Sequence, residues 1–259
     1  MKVHFYKYQG AGNDFIIFDN RNNTISLSEK QINQLCDRKF GIGADGIMLL
    51  EDHPSHDFYM KYFNSDGKES TMCGNGGRCL VEFARSLGIL EKETGFMAVD
   101  GLHRAIVNKN KTISLQMKDV NDIRIVNTNY YLNTGSPHYV IFREDIKDID
   151  VFKRGREIRY SAEFDPDGTN VNFVEFQGDK IVVRTYERGV ENETLSCGTG
   201  VTASAICASL YSKSKKSSYD IITTGGKLNV SFKKQDKNNF TDVWLTGPAE
   251  FVFKGEIDI

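Results

Sequence analysis

Short runs of alternating apolar and polar residues fill most of the chain, and a few longer stretches switch to helical spacing. Period-two alternation marks strands over 3–7 and 15–19, on either side of the glycine-rich turn Gln9-Gly10-Ala11-Gly12-Asn13-Asp14. A first helix is predicted over 28–39, with Ser28 as its N-cap and Ile32 and Leu35 on one face. Strands follow at 46–50 and 57–64. A second helix, over 76–87, carries Leu80, Phe83, Ala84 and Leu87 on one stripe, with Gly88 just past its end. Residues 95–107 and 112–117 then read as a strand pair around a polar turn.

The second half follows the same order. Strands are expected at 139–143, 172–176 and 180–186, before a helix that runs from 198 to 211. That helix has Val201, Ala203, Ala205, Ile206, Ala208 and Leu210, apolar or small on most faces, so burial is expected. A basic, polar loop at 213–218 reads as solvated, and strands at 219–223, 227–233, 242–245 and 250–253 close the chain. Four landmarks recur in register. Cys73-Gly74-Asn75-Gly76 and Cys197-Gly198-Thr199-Gly200 each open a helix. Polar turns at Asn13 and His138 precede them by 60 and 59 residues. Gly43-Ala44-Asp45-Gly46 and Gly168-Thr169-Asn170-Val171 lie between. Such repetition points to two related halves facing each other.

Composition narrows the class. A chain of 259 residues with 39% hydrophobic and 26% charged positions is an ordinary globular protein, neither disordered nor collagen-like. Its 33 basic and 35 acidic residues give a net charge of −2, without the basic footprint that nucleic acid selects. No apolar run approaches the roughly 20 residues that span a bilayer. Five cysteines without an apolar leader block point to free thiols and a cytoplasmic setting.

The two Cys-Gly-x-Gly sites carry the sharpest chemistry. A thiol just before a helix sits where unpaired N–H groups and the macrodipole favour an anion, which lowers its pKa from about 8.5 toward neutrality. The same N–H groups can hold a carboxylate, and the glycines let it come close. Inverting an amino-acid α-carbon needs a base on one face and an acid on the other. A thiolate and a thiol from facing halves supply both, and the scheme calls for no cofactor and no metal. Cys36, Cys79 and Cys207 read instead as packing thiols.

Other motifs lead elsewhere or nowhere. Gly41-Ile42-Gly43-Ala44-Asp45-Gly46 matches a dinucleotide fingerprint in letters, but it follows a helix and precedes a strand, the reverse of the required context. His53-Pro54-Ser55-His56-Asp57 reads as a polar surface turn rather than a metal cluster. Tyr186-Glu187-Arg188-Gly189 offers a guanidinium fork and a carboxylate ten residues before Cys197. Asn13, Asn64, Asn75 and Asn170 cluster around the landmarks as a polar pocket suited to a zwitterion.

Taken jointly, these segments resemble the diaminopimelate epimerase family across nearly the whole chain. They are Gly12-Asn13-Asp14-Phe15, Phe63-Asn64-Ser65-Asp66-Gly67, Met72-Cys73-Gly74-Asn75-Gly76-Gly77-Arg78-Cys79, Gly168-Thr169-Asn170-Val171-Asn172-Phe173, and Tyr186-Glu187-Arg188-Gly189 through Cys197-Gly198-Thr199-Gly200. The resemblance implies a mixed α+β or α/β fold of two pseudo-symmetric halves, each a mostly antiparallel sheet around a central helix, with the active site in the cleft between them. It places the halves at 1–118 plus 249–259 and at 119–248. It implies cofactor-independent interconversion of LL- and meso-diaminopimelate, on the route to lysine and peptidoglycan, often in a homodimer. Cys73 and Cys197 correspond to the catalytic pair, and His138 and Glu187 to groups that assist proton transfer. Asn13, Asn64, Asn170, Glu187 and Arg188 correspond to substrate contacts, while Gly74-Asn75 and Gly198-Thr199 correspond to the carboxylate-holding helix starts. Departures fall at Ser136, where an Asn usually precedes Pro-His, and at Gly46, where some members have Gln. Proline racemases and hydroxyproline epimerases are the alternative, though they usually carry His where this chain has Asn75. Binding proteins or isomerases on the same fold that lack the two thiols form a third class.

Overall fold

The computed structural model describes residues 1–213 and 215–259; Ser214, part of the basic loop expected over 213–218, lies outside the described residues. The chain divides into two units, Met1–Leu115 with Gly247–Ile259, and Gln116–Thr246.

In the first unit, β1 (Lys2–Gly10) and β2 (Asn13–Asp19) form a tight hairpin whose two turn residues, Ala11 and Gly12, both have positive φ, at 54° and 84°. That twist matches paired strands, so the strands extend to the turn and Asn13 is a strand residue paired with Gly10 rather than a loop residue. Helix α1 (Glu29–Cys36) starts at Ser28, which accepts from Gln31 N while Gln31 caps the Ser28 N–H in return. Its last helical residue is Cys36, three residues before the sequence pattern suggests, and Asp37 is its C-cap. β2 runs parallel to β3 (Gly46–Glu51), which pairs antiparallel with β4 (Tyr59–Asn64). The short β5 (Glu69–Ser70) flanks β4.

Helix α2 (Gly74–Ser86) has Cys73 as N-cap and ends in a Schellman turn, with Gly88 N bonded to Arg85 O and Ile89 N to Ala84 O. β6 (Glu93–Ala98) runs parallel to β4 and leads through β7 (Gly101–Val107) to β8 (Ile113–Gln116). The run read as one strand over 95–107 is thus a hairpin folded at Val99–Asp100; sustained alternation hides a break that only the Ala98–Gly101 pairing reveals. The last strand, β18 (Glu250–Asp258), returns to pair with β1.

The second unit repeats this topology strand for strand. β9 (Ile123–Val126), β10 (Asn129–Asn133) and β11 (Pro137–Phe142) are antiparallel neighbours, and β11 runs parallel to β12 (Asn170–Gln177). β12 pairs antiparallel with β13 (Lys180–Glu187), which takes the short β14 (Asn192–Thr194) on one stretch and the parallel β15 (Ser218–Thr223) on another. β16 (Gly226–Lys234) and β17 (Phe240–Gly247) complete the series. β9, β10 and β14 are short and half-exposed, which is why their alternation is faint in sequence.

Helix α3 (Val151–Arg159) is the counterpart of α1 and has no clear sequence signature. Only Val151 and Gly155 of it are buried, and glycine is a poor helix former. Gly155 is required nonetheless, because a Cβ there would run into the Tyr186 side chain. Helix α4 (Gly198–Tyr211) is the central helix of this unit and touches β10–β13, β15 and β16. Its buried Thr202, Ser204 and Ser209 satisfy their hydroxyls on carbonyls of their own helix, at 2.9, 2.7 and 3.0 Å. Polar residues therefore cost little in a helix buried at most of its positions. α2 occupies the same place in the first unit, against β1, β2, β3, β7 and β18. Among the described residues, no helix is long and apolar enough to cross a membrane.

Candidate active site

Each unit presents its cysteine as the N-cap of its central helix, in extended backbone: φ −90°, ψ 127° at Cys73 and φ −114°, ψ 112° at Cys197. Each thiol therefore sits at the helix end where first-turn N–H groups have no helical acceptor. Neither α2 nor α4 has an acidic residue in its first turn to compete for them.

In the first unit, the hairpin brings Asn13 to Cys73, with Nδ2 3.9 Å from the sulfur. The Asn13 Oδ1 atom is buried and has no hydrogen-bond partner among the described residues. Such an atom is uncommon, and it marks an acceptor suited to a ligand donor. Asn75 is buried, and its Oδ1 accepts from Arg78 Nη2 at 2.9 Å. Arg78 also donates to Gly74 O at 3.1 Å and to Pro248 O at 3.3 Å. This guanidinium is wholly buried on three neutral acceptors, which tie the first turn of α2 to the returning chain. Asn64 ends β4 opposite Gly46 and accepts from the Tyr62 hydroxyl at 2.8 Å.

A charged cluster backs this half-site. Asp14 is bonded to Lys7 Nζ at 2.8 Å and to both terminal nitrogens of Arg38, at 2.7 and 3.1 Å; Arg38 also reaches Asp45 at 2.8 Å. Lys7 donates in addition to the Gly43 carbonyl. Burial alone would raise the Asp14 carboxyl, but hydrogen bonds and charge from Arg38 and Lys7 prevail and hold it at about 2. Burial and the neighbouring Asp14 charge push Asp45 the other way.

In the second unit, Asn170 and Asn172 lie two apart on β12 and so share a face. Asn170 Nδ2 donates to Ser136 Oγ at 2.9 Å and to Pro137 O at 2.8 Å, while its Oδ1 accepts from Arg188 N at 2.9 Å. The Arg188 side chain reaches Asp167 O at 3.1 Å and Ser136 Oγ at 3.4 Å, and forms no ion pair among the described residues. Ser136 thus joins Asn170 to Arg188 at the position where the sequence departs from the commonest pattern. Glu187 stands at the end of β13 and accepts from Thr194 Oγ1 at 2.9 Å.

His138 is completely buried between Asn172 Nδ2, 3.0 Å from Nδ1, and Thr199 Oγ1, 2.9 Å from Nε2. Burial, with the Arg188 charge, pulls its pKa down to about 3. Thr199 Oγ1 is also 3.5 Å from Cys197 Sγ, and Thr134 Oγ1 fixes the Thr199 carbonyl at 2.8 Å. A Cβ on Gly200 would collide with Asn172 Oδ1, so glycine lets α4 press onto β12 here.

Sequence pattern alone missed the supporting residues Arg78, Asn172, Thr134 and the Lys7–Asp14–Arg38–Asp45 cluster. The available signals were Arg78 one helical turn after Gly74 and the alternate spacing of Asn170 and Asn172. Burial pushes the Cys36 and Cys79 thiols up to about 12 and Cys207 well above its ordinary value, as suits packing thiols. Among the described residues no group of three metal-ligating side chains forms.

Comparison with known proteins identifies relatives of this chain. A family model described as diaminopimelate epimerase matches residues 5–121 and 130–252. The chain is 52% identical to a diaminopimelate epimerase of Flavobacterium psychrophilum, covering 98% of this chain and all of the relative. It is 38% identical to one of Aquifex aeolicus, over 98% of both chains. Among solved structures, a PhzF-family phenazine biosynthesis protein of Bacillus anthracis aligns with a TM-score of 0.77 at 16% identity, over the full length of both. A hydroxyproline epimerase of Agrobacterium vitis aligns with a TM-score of 0.71 at 11% identity, covering 99% of this chain and 92% of that one. At such identities these two speak for the fold alone.

Proposed function

The chain belongs to the diaminopimelate epimerase family, and from that premise we propose that it interconverts LL- and meso-diaminopimelate by a two-thiol acid–base mechanism. The observation that carries the mechanism is the duplicated placement of Cys73 and Cys197 as N-caps of the two central helices. One sulfur, as thiolate, removes the α-proton; the other, as thiol, delivers a proton to the opposite face, and the reverse reaction exchanges their roles. First-turn N–H groups at Gly74-Asn75 and Gly198-Thr199 bind the carboxylate and stabilise the charge that develops beside the reacting carbon.

The remaining residues read the rest of the zwitterion. Asn13 Oδ1, buried and without a partner among the described residues, accepts from a substrate ammonium. Arg188, supported by Ser136 and Asn170 and without an ion pair among the described residues, takes the distal carboxylate, while Glu187 and Asn64 complete the polar lining. This chemistry needs no pyridoxal group. A cytoplasmic homodimer acting on this small molecule completes the reading.

Replacing either cysteine tests the proposal. Cys73→Ser and Cys197→Ser should each lower kcat by roughly a hundredfold or more while far-UV circular dichroism is unchanged, since a positioned acid or base contributes about 10²–10⁴-fold. Full activity in either variant would refute the two-thiol mechanism.

A further inference from the structure

A line of hydrogen bonds in the second unit leads from β13 to the Cys197 sulfur, and donor chemistry fixes its direction. Thr185 Oγ1 donates to Asn172 Oδ1 at 3.0 Å. Asn172 Nδ2 lies 3.4 Å from the Tyr139 carbonyl, which can only accept, so the amide nitrogen belongs on that side. The same Nδ2 is 3.0 Å from His138 Nδ1. An amide NH₂ only donates, so Nδ1 presents a lone pair and the imidazole proton sits on Nε2. Nε2–H then donates to Thr199 Oγ1 at 2.9 Å. One lone pair of that hydroxyl is now used, and its own hydrogen is left for Cys197 Sγ at 3.5 Å.

We propose that Asn172 and His138 are positioning residues that fix one imidazole tautomer and so aim the Thr199 hydroxyl at Cys197, where it donates to the sulfur whenever that sulfur is a thiolate. The inference rests on the two-thiol reading above. It gives the histidine a different task from the proton transfer that the family resemblance implies. No proton enters or leaves the ring; the imidazole stays neutral, consistent with its burial and the nearby Arg188 charge. The first unit uses another device at the matching helix position, where Arg78 donates to Asn75 Oδ1.

The test is a two-bond ¹H–¹⁵N correlation spectrum of the ¹⁵N-labelled full chain at pH 7, with the His138 signals identified by their loss in His138→Gln. The wild-type protein should show the neutral Nε2–H tautomer. In Asn172→Asp, whose carboxylate only accepts, a proton should appear on Nδ1. Thr199→Val should lower kcat on the order of tenfold with KM changed by less than about threefold, and Thr199→Ser should recover most of the loss. An Nδ1–H tautomer or an imidazolium in the wild type overturns the proposal, as does unchanged kcat in Thr199→Val. The spectrum needs no turnover. A chain with the Nε2–H tautomer that fails to epimerise diaminopimelate would refute the functional reading and leave the tautomer inference standing.

Discussion

Asp14→Asn is the most informative perturbation of the charged cluster behind Asn13. The Lys7 side chain is 6% exposed and the Asp14 side chain 17%, whereas Arg38 is 59% exposed. The energetic weight therefore falls on the Lys7–Asp14 pair, because an exposed partner such as Arg38 is screened by solvent. Replacing Asp14 by Asn leaves Lys7 buried without its counter-charge, a change that typically costs about 3–5 kcal/mol. The pH dependence supplies an independent magnitude. The Asp14 carboxyl falls from 3.8 to about 2 on folding, which corresponds to roughly 2–3 kcal/mol. Because the folded value is the lower one, this stabilisation is complete above pH 3.8 and is lost as pH falls from there to about 2. Urea unfolding followed by far-UV circular dichroism at pH 7 and at pH 3 measures both. The wild type should lose stability between the two, and Asp14→Asn should lose less over the same interval. Lys7→Met combined with Asp14→Leu should recover much of the single-variant loss, since an apolar pair removes the unpaired charge. A cost below about 1 kcal/mol for Asp14→Asn at pH 7 would refute the reasoning.

Three further outcomes follow from particular contacts. Ser28→Ala removes the capping box of α1 and should cost about 1 kcal/mol in urea unfolding; no change would mean the cap is not formed in solution. Gly200→Ala drives a Cβ into Asn172 Oδ1 and should reduce kcat on the order of tenfold by disturbing the His138–Thr199 bonds; wild-type kcat would contradict that close approach. Alkylation with iodoacetamide at pH 8, mapped by mass spectrometry, should spare Cys36 and Cys79, whose thiols burial holds near 12, and should abolish turnover through Cys73 or Cys197. A labelled Cys79 in folded protein would contradict its assigned environment.

Much of this architecture is legible in sequence because its signals are local. Ser28, Gly88 and the two Cys-Gly-x-Gly segments mark helix ends through capping chemistry that involves only neighbouring residues. The landmarks that repeat between the halves correspond to two parallel strand pairs, β2 with β3 and β11 with β12, and to the starts of the two central helices. Features decided by distant packing are not legible. Helix α3 tolerates Gly155 only because Tyr186, thirty-one residues further on, needs the space. The hairpin at Ala98–Gly101 interrupts a run that reads as continuous. In the candidate site, residue types such as cysteine, asparagine and arginine announce themselves, but their support does not. Asn172 and Arg78 act through partners on other elements, and only folding brings those partners together.

The most direct test of the central claim is proton NMR of the purified, reduced protein with LL-diaminopimelate in D₂O, without added pyridoxal phosphate. The account predicts loss of the α-proton signal together with appearance of the meso isomer, solvent deuterium having been delivered to the inverted carbon. No exchange and no meso isomer under these conditions would contradict it.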